Sequence, residues 1–261
     1  MEKIVSKTNP KIKNVSKLVS SSSFRKEQGL FCIEGLRICL DAVVSKVEIL
    51  QSFFSDSIIR KHPEEVEKIS SASQENYEVP QDVFEKISDT GSPQGVLCVC
   101  RKCENVTHGI DLSDGGKYIF LENVQDPSNL GTVCRTAEAL GIDAAILCGC
   151  CDVFNPKVLR GSMGAVFRLK IGLVDNAVGF LKEYNDAGFK TFATVTDRNA
   201  LPITQADFEN GVICVIGNEG NGVSKEVIDV CADRITIPML GRAQSLNASA
   251  AACITMWEML R

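Results

Sequence analysis

The second half of the chain interleaves two patterns that fold together in few ways. Near-continuous apolar runs at Lys117–Glu122, Ala144–Cys148, Phe189–Val195 and Val212–Ile216 read as strands, with a short one at Arg234–Ile237. Between and after them lie segments of helical character at Leu130–Leu140, Pro156–Gly161, Asp175–Ala187, Ser224–Val230 and Ser245–Leu260. A strand that is apolar along its whole length is buried on both faces, and strands alternating with helices leave room for parallel crossovers. The expected architecture is therefore an α/β domain built on a mostly parallel sheet with helices on both sides.

The first part is read as a smaller α/β domain. Asn9–Ser20 places Ile12, Val15, Leu18 and Val19 at helical spacing behind a proline suited to a first turn. Leu30–Ile33, Val47–Phe53 and Val96–Val99 read as strands, and Gly35–Val44 and Glu64–Ser70 as helices. The polar stretch Glu104–Gly116 ends in Asp114-Gly115-Gly116 and reads as a linker. The expected division is thus an N-terminal domain over 1–103, a linker over 104–116 and a C-terminal domain over 117–261. A length of 261 residues suits two unequal domains at about 150 residues each. No apolar run approaches the roughly 18–20 residues that cross a bilayer, and the N-terminus carries no apolar leader, so a cytoplasmic protein without a membrane partner is expected.

Residue chemistry narrows the function. Two histidines, His62 and His108, argue against serine-hydrolase triads, histidine zinc sites and Cys–His dyads. Twelve cysteines in a reducing compartment read as free thiols acting as small apolar residues. Cys98-x-Cys100-x-x-Cys103 and Cys148-x-Cys150-Cys151 nevertheless offer metal-ligand spacing for zinc or an iron–sulfur cluster. Against this, Cys98 and Cys100 alternate along one face of a strand, and other cysteines lie scattered, so no metal is expected. The net charge of −5 does not suggest a nucleic-acid binder, yet the first 40 residues set eight basic residues (Lys3, Lys7, Lys11, Lys13, Lys17, Arg25, Lys26, Arg37) against Glu2, Glu27 and Glu34. Such a localised basic segment is what a phosphate-contacting surface looks like, or else a solvated helix face.

Three loops of the second domain each follow a strand, and in open parallel sheets such loops converge at the carboxyl ends of the strands. The first is Asn123-Val-Gln-Asp-Pro-Ser-Asn-Leu-Gly-Thr-Val-Cys-Arg-Thr-Ala, in which Asp126 and Asn129 are capping types and Arg135 sits well inside the helix. The second, Ile216-Gly-Asn-Glu-Gly-Asn-Gly-Val-Ser, has glycines that permit close approach of a ligand. Its Gly217-x-x-Gly220-x-Gly222 spacing is wrong for a dinucleotide fingerprint and it lacks a P-loop lysine. The third, Ile237-Pro-Met-Leu-Gly-Arg-Ala-Gln-Ser-Leu-Asn-Ala-Ser-Ala-Ala, crosses to an Ala-rich helix that starts at Ser245 or Asn247.

In this order and spacing the three loops resemble the three motifs of the SpoU, or TrmH-like, family of RNA ribose 2′-O-methyltransferases in the SPOUT superfamily, over roughly Lys117 to Arg261. Asn9-Pro-Lys-Ile-Lys and Phe31-Cys-Ile-Glu-Gly resemble, more loosely, the family's N-terminal RNA-binding domain. The resemblance implies a sheet whose C-terminal segment forms a deep trefoil knot, a homodimer, and S-adenosylmethionine bound by the knot loops. It places Gly217, Asn218, Ile237, Met239 and Leu246 at the cofactor, and Asn129, Arg135, Glu219, Ser245 and Asn247 at catalytic and RNA-handling positions. Lys7, Lys11, Lys13, Arg25 and Arg37 would then contact RNA. Ala248 departs from the bulkier apolar residue usual in the third motif.

Methyl transfer from a sulfonium is an in-line displacement that needs no metal. It requires a positioned 2′-hydroxyl, loss of its proton and stabilisation of the developing alkoxide. Arg135 suits that charge or a neighbouring phosphate, whereas its pKa above about 12 makes it a poor base, and the base is left open. The expectation is a methyltransferase acting on structured RNA, ribosomal RNA first. The alternatives are a transfer RNA substrate, a non-catalytic RNA-binding protein on the same fold, or a nucleotide-dependent enzyme on a Rossmann-like sheet.

Overall fold

The structure, a computed structural model, describes every residue from Met1 to Arg261. In chain order the elements are β1 (Glu2–Lys3), α1 (Pro10–Ser20), α2 (Ser22–Gln28), β2 (Leu30–Glu34), α3 (Leu36–Val44), β3 (Ile49–Ser55), α4 (Asp56–Lys61), α5 (Pro63–Ala72), β4 (Ser73–Val79), α6 (Gln81–Ile87) and β5 (Val96–Arg101). There follow β6 (Val106–His108), β7 (Lys117–Glu122), α7 (Pro127–Leu140), β8 (Ala144–Cys148), α8 (Pro156–Ser162), β9 (Ile171–Val174), α9 (Ala177–Asp186) and β10 (Lys190–Thr194). Last come β11 (Leu201–Pro202), β12 (Val212–Ile216), α10 (Lys225–Ile228), β13 (Asp233–Thr236) and α11 (Ala248–Leu260).

Two compact units emerge, one of Met1–Glu104 with Phe154–Phe167, the other of Asn105–Val153 with Arg168–Arg261. The first unit holds a five-stranded mixed sheet, β1-β4-β3-β5-β2. Here β2 and β3 both run antiparallel to β5, while β1 and β3 flank β4 in parallel. Its helix α1 forms as the spacing predicts. Asn9 accepts from Lys11 N, Pro10 opens the first turn, and Ile12, Val15 and Leu18 are buried. The run of four serines at Ser20–Ser23 is a helix junction: Ser21 ends α1 and caps α2 by accepting from Phe24 N.

The second unit holds an eight-stranded sheet, β11-β13-β10-β12-β7-β8-β9-β6, in which every pair is parallel. The strands expected at Lys117–Glu122, Ala144–Cys148 and Val212–Ile216 form over those residues. Their side chains interdigitate with helix residues such as Leu181 and Val227 in one apolar core. Helix α7 starts at Pro127 with Asp126 capping Ser128 N, and Gly141, at φ 78°, ends it in the left-handed conformation.

Several element ends shift by a few residues from the sequence reading, and three differences bear on the division of the chain and on the site. The stretch read as a linker contributes β6, an edge strand parallel to β9; its three residues are partly or fully exposed and give no apolar signal. Phe154–Phe167, expected in the C-terminal domain, belongs to the first unit, where Phe154 stacks on Phe31 with ring centroids 4.7 Å apart. Of the two starts expected for the last helix, Ser245 and Asn247, the structure takes the second: the Asn247 side chain accepts the capping bonds from Ser249 N and Ala250 N, and Ala248 is the first helical residue.

Candidate active site

All strands of the larger sheet point the same way, so the loops after β7, β10, β12 and β13 open on one edge. A cavity of about 320 Å³ lies there. It is lined by Thr194–Thr196 after β10, Ile216–Gly222 after β12, and Ile237, Met239, Gln244, Ser245 and Leu246 after β13. Ala248 and Ala251 of α11 close one side. Five of the expected site residues from the second and third loops therefore share one cavity with Glu219 and Ser245. Thr194–Thr196 were not anticipated; they end a buried parallel strand, and the carboxyl-edge rule nominates them equally.

The second loop is bent back on itself. Asn218 and Gly222 exchange backbone hydrogen bonds of 3.0 and 2.9 Å, and Asn218 Oδ1 accepts from Gly220 N and Asn221 N. A side chain on Gly217 would lie 2.0 Å from the Gly222 carbonyl carbon and 2.1 Å from Val223 N, so only glycine fits.

The first loop is tied to the second by two carboxylates. Glu219 accepts from Gln125 N (3.2 Å), Asp126 N (3.0 Å), Asn129 Nδ2 (3.0 Å) and Asn218 Nδ2 (3.3 Å). Partial burial opposes its ionisation, but the bonds from Asn129 and the loop N–H groups outweigh it and hold the carboxyl below its ordinary range. In the other direction buried Glu122, at the end of β7, accepts from Ser224 N (2.8 Å) and Ser224 Oγ (2.6 Å) beyond the second loop. Asn123 turns the chain sharply at φ 55°, a left-handed conformation that asparagine tolerates, and its carbonyl receives Asn218 Nδ2 at 2.8 Å. Sequence reasoning missed Glu122, which looks like the polar end of an apolar strand.

Other expected residues lie elsewhere. Arg135 is exposed on α7, does not line the cavity and makes no hydrogen bond or ion pair, so Glu219 orients Asn129 and not Arg135. Asn247 is the helix cap described above. Of the basic residues expected at RNA, Arg25 requires correction. It is 2% exposed, and its Nη1 donates to the carbonyls of Leu18 (2.7 Å) and Val19 (3.1 Å) in the last turn of α1. An arginine turned inward to satisfy a helix C-terminus has no face left for phosphate. Lys11 and Lys7 are paired with Glu75 (2.9 Å) and Asp82 (3.0 Å), whereas Lys13 and Arg37 are exposed without a partner.

The cysteines are mostly inside. Cys32, Cys39, Cys98, Cys100, Cys134 and Cys214 are buried, and no group of three or more His, Cys, Asp or Glu side chains is arranged to hold a metal ion. Near the first loop, burial pushes Cys134, Cys150 and Cys151 each up to about 12.

The cavity suits S-adenosylmethionine by the chemistry of its lining. Ile216, Ile237, Met239 and Leu246 offer apolar contact for a purine, and Asn218, Gln244, Ser245 and Thr194 offer polar atoms for a ribose and an amino-acid tail.

Comparison with known proteins agrees. Residues 116–257 match the SpoU rRNA Methylase family, and residues 9–98 match the MRM3-like substrate binding domain. The 23S rRNA (guanosine(2553)-2′-O)-methyltransferase RlmP of Bacillus subtilis is 29% identical over 260 residues, 99% of each chain. An AdoMet-bound rRNA methyltransferase from Sinorhizobium meliloti superposes with a TM-score of 0.84 at 28% identity, covering 99% of this chain and 97% of that one. An RNA 2′-O ribose methyltransferase structure gives the same TM-score and identity over 99% of this chain. With more than half its length matched by the family and the three loops folded together at one sheet edge, the chain belongs to the SpoU rRNA methylase family.

Proposed function

We propose that this protein transfers a methyl group from S-adenosylmethionine to the ribose 2′-hydroxyl of a nucleotide in ribosomal RNA. The observation that carries the reading is the meeting of the second and third loops in one cavity, with the first loop clamped to them by Glu219. When bound, the cofactor supplies an electrophilic methyl on a sulfonium. Gly217, Asn218, Ile237, Met239 and Leu246 hold it, and the apolar wall excludes water from the displacement.

The chain's own groups then have distinct tasks. Both oxygens of Glu219 are already filled by donors, so it positions the loops and is a poor base. Because a carboxylate demands a donor, Asn129 turns Nδ2 to Glu219 and keeps Oδ1 as an unfilled acceptor for a ribose hydroxyl. Arg135, uncommitted within the chain, has the guanidinium that stabilises a developing alkoxide or an adjacent phosphate. Ser245 orients the ribose at the cavity edge, and Asn247 fixes the start of α11 behind it.

Arg135 reaches a site if the protein works as a homodimer. Helix α7 packs on α11, whose outer face exposes Trp257 (60%) and Ile254 (37%). The reading therefore includes a second copy that covers this apolar face and brings α7 of one subunit to the cavity edge of the other. In the N-terminal domain the unpaired Lys13 and Arg37 are the proposed RNA contacts, joined by Lys7 and Lys11 only where phosphate displaces Asp82 and Glu75 from them, and a cytoplasmic location follows from the substrate. The test is calorimetric binding of S-adenosylmethionine followed by methyl incorporation into ribosomal and transfer RNA, with Arg135→Ala alongside. Incorporation into ribosomal RNA that R135A loses while still binding cofactor is the expected result. Cofactor binding without incorporation into any RNA sinks the enzymatic reading, and incorporation confined to transfer RNA sinks the substrate assignment.

A further inference from the structure

The basic N-terminal segment is largely neutralised within its own domain. Lys3, Lys7 and Lys11 each hold a carboxylate, Glu78, Asp82 and Glu75, at 2.8 to 3.0 Å, and Arg25 is buried. Two cations that hold none, Arg37 at the start of α3 and Lys61 at the end of α4, stand instead on the rim of a second cavity of about 610 Å³. Its floor is apolar: Leu36, Leu40, Ile58 and Pro93. His62, Ser57 and Gln94 complete the rim.

The wall containing Pro93 and Gln94 is rigidly built. The buried carboxylate of Glu34 accepts from Ser88 Oγ (2.6 Å), Thr90 Oγ1 (2.6 Å) and Asp89 N (2.9 Å), fixing one end of the loop. At the other end the carbonyl oxygen of Gly95, a residue at φ 91°, accepts from Ser55 N at 2.8 Å. Gln94 Oε1 accepts from Leu36 N at 2.9 Å, which orients the side chain and leaves its Nε2 hydrogens without a partner in the chain. A fixed amide donor, two unpaired cations and an apolar floor in one concave site match an unstacked nucleotide, with base on the floor and phosphate at the rim. A duplex presents stacked bases and cannot reach such a floor.

We infer that the cleft between α3, α4 and the 88–95 loop binds a single unpaired nucleotide of the RNA substrate, with Arg37 and Lys61 on its phosphate and Gln94 on its base. This inference rests on the RNA-directed reading above and names the recruiting subsite. The test uses the full-length protein with an unstructured 12-nucleotide RNA of mixed sequence carrying 4-thiouridine, and a blunt duplex of equal length. Combining Arg37→Ala with Lys61→Ala should weaken single-strand binding about tenfold and flatten the slope of log affinity against log salt by about 1.4, two phosphates' worth. Lys68→Ala with Lys86→Ala, the same charge change at exposed lysines elsewhere in the domain, should cost less than about twofold. Photocrosslinks should map to peptides holding His62 or Pro93–Gln94. Equal losses in both double variants, crosslinks confined to other peptides, or tighter binding of the duplex would overturn the subsite. Oligonucleotide held at this cleft by a protein that transfers no methyl would sink the enzymatic reading and leave the subsite standing. Methyl transfer by the Arg37/Lys61 variant at the wild-type KM for RNA would sink the subsite alone.

Discussion

Glu219 sits where two loops 90 residues apart must be held in register, and it does so as an ionised acceptor of hydrogen bonds from both. Replacing it by glutamine puts an amide hydrogen where the N–H groups of Gln125 and Asp126 need an acceptor. Its partial exposure reduces the value of such charged bonds to about 1 kcal/mol, so E219Q should bind S-adenosylmethionine about fivefold more weakly in calorimetry, with little change in Tm. The carboxyl is held below its ordinary value of 4.5, so its contribution is complete above that pH and is lost as pH falls through the lowered value. Wild-type affinity should decline on that acid side, and E219Q should lack this component. Arg25 makes the opposite point: Arg25→Ala strands two carbonyls at the end of α1 and should cost about 2–3 kcal/mol, lowering Tm by roughly 5–10 °C in a thermal melt. Oligonucleotide affinity at a temperature where the variant is folded should not change. The sequence shows Arg25 only as one more positive charge; its inward turn is set by the tight α1–α2 junction at Ser21, which no charge count reveals.

Elements whose residues carry their own instruction were legible. The strands β7, β8 and β12 are apolar throughout and form over the expected residues. Strand β4 was not foreseen, because Ser73-Gln74-Glu75-Asn76 reads as surface and only Tyr77 and Val79 are buried; it extends because β3 and β1 pair with it on both sides. The candidate site was legible as three loops because each follows a strand, and the same rule reaches the fourth wall after β10, while the Glu122–Ser224 tie came from tertiary packing. The Ala-rich helix α11 packs closely along its inner face, where Ala248, Ala252 and Met256 are buried. Its outer face leaves Ile254, Trp257 and Leu260 exposed along one helix, an apolar patch of the kind that a second copy covers. Trp257→Asp should convert the proposed dimer to a monomer by light scattering, and methyl transfer should fall with it. A variant that remains dimeric would place the interface elsewhere.

At the scale of the whole molecule, the chain leaves the first unit at Glu104, returns at Phe154 and leaves again after Phe167. The returning segment supplies an aromatic partner for Phe31 and an ion pair, Arg160 to Asp89 at 2.7 Å, to the unit built mainly from the N-terminal residues. Proteolytic cleavage within residues 109–116 should therefore leave a two-fragment complex that elutes as one species in size exclusion without denaturant. Elution as two separate fragments would contradict this. A truncated chain starting at Asn105 should be poorly soluble, since Phe154, Val158 and Phe167 lose the surface that buries them. Retargeting such an enzyme by exchanging its recognition module would accordingly demand two grafts, the leading hundred residues and the distant patch that completes their core. Evolution of substrate choice in this architecture is then constrained to drift in both places together.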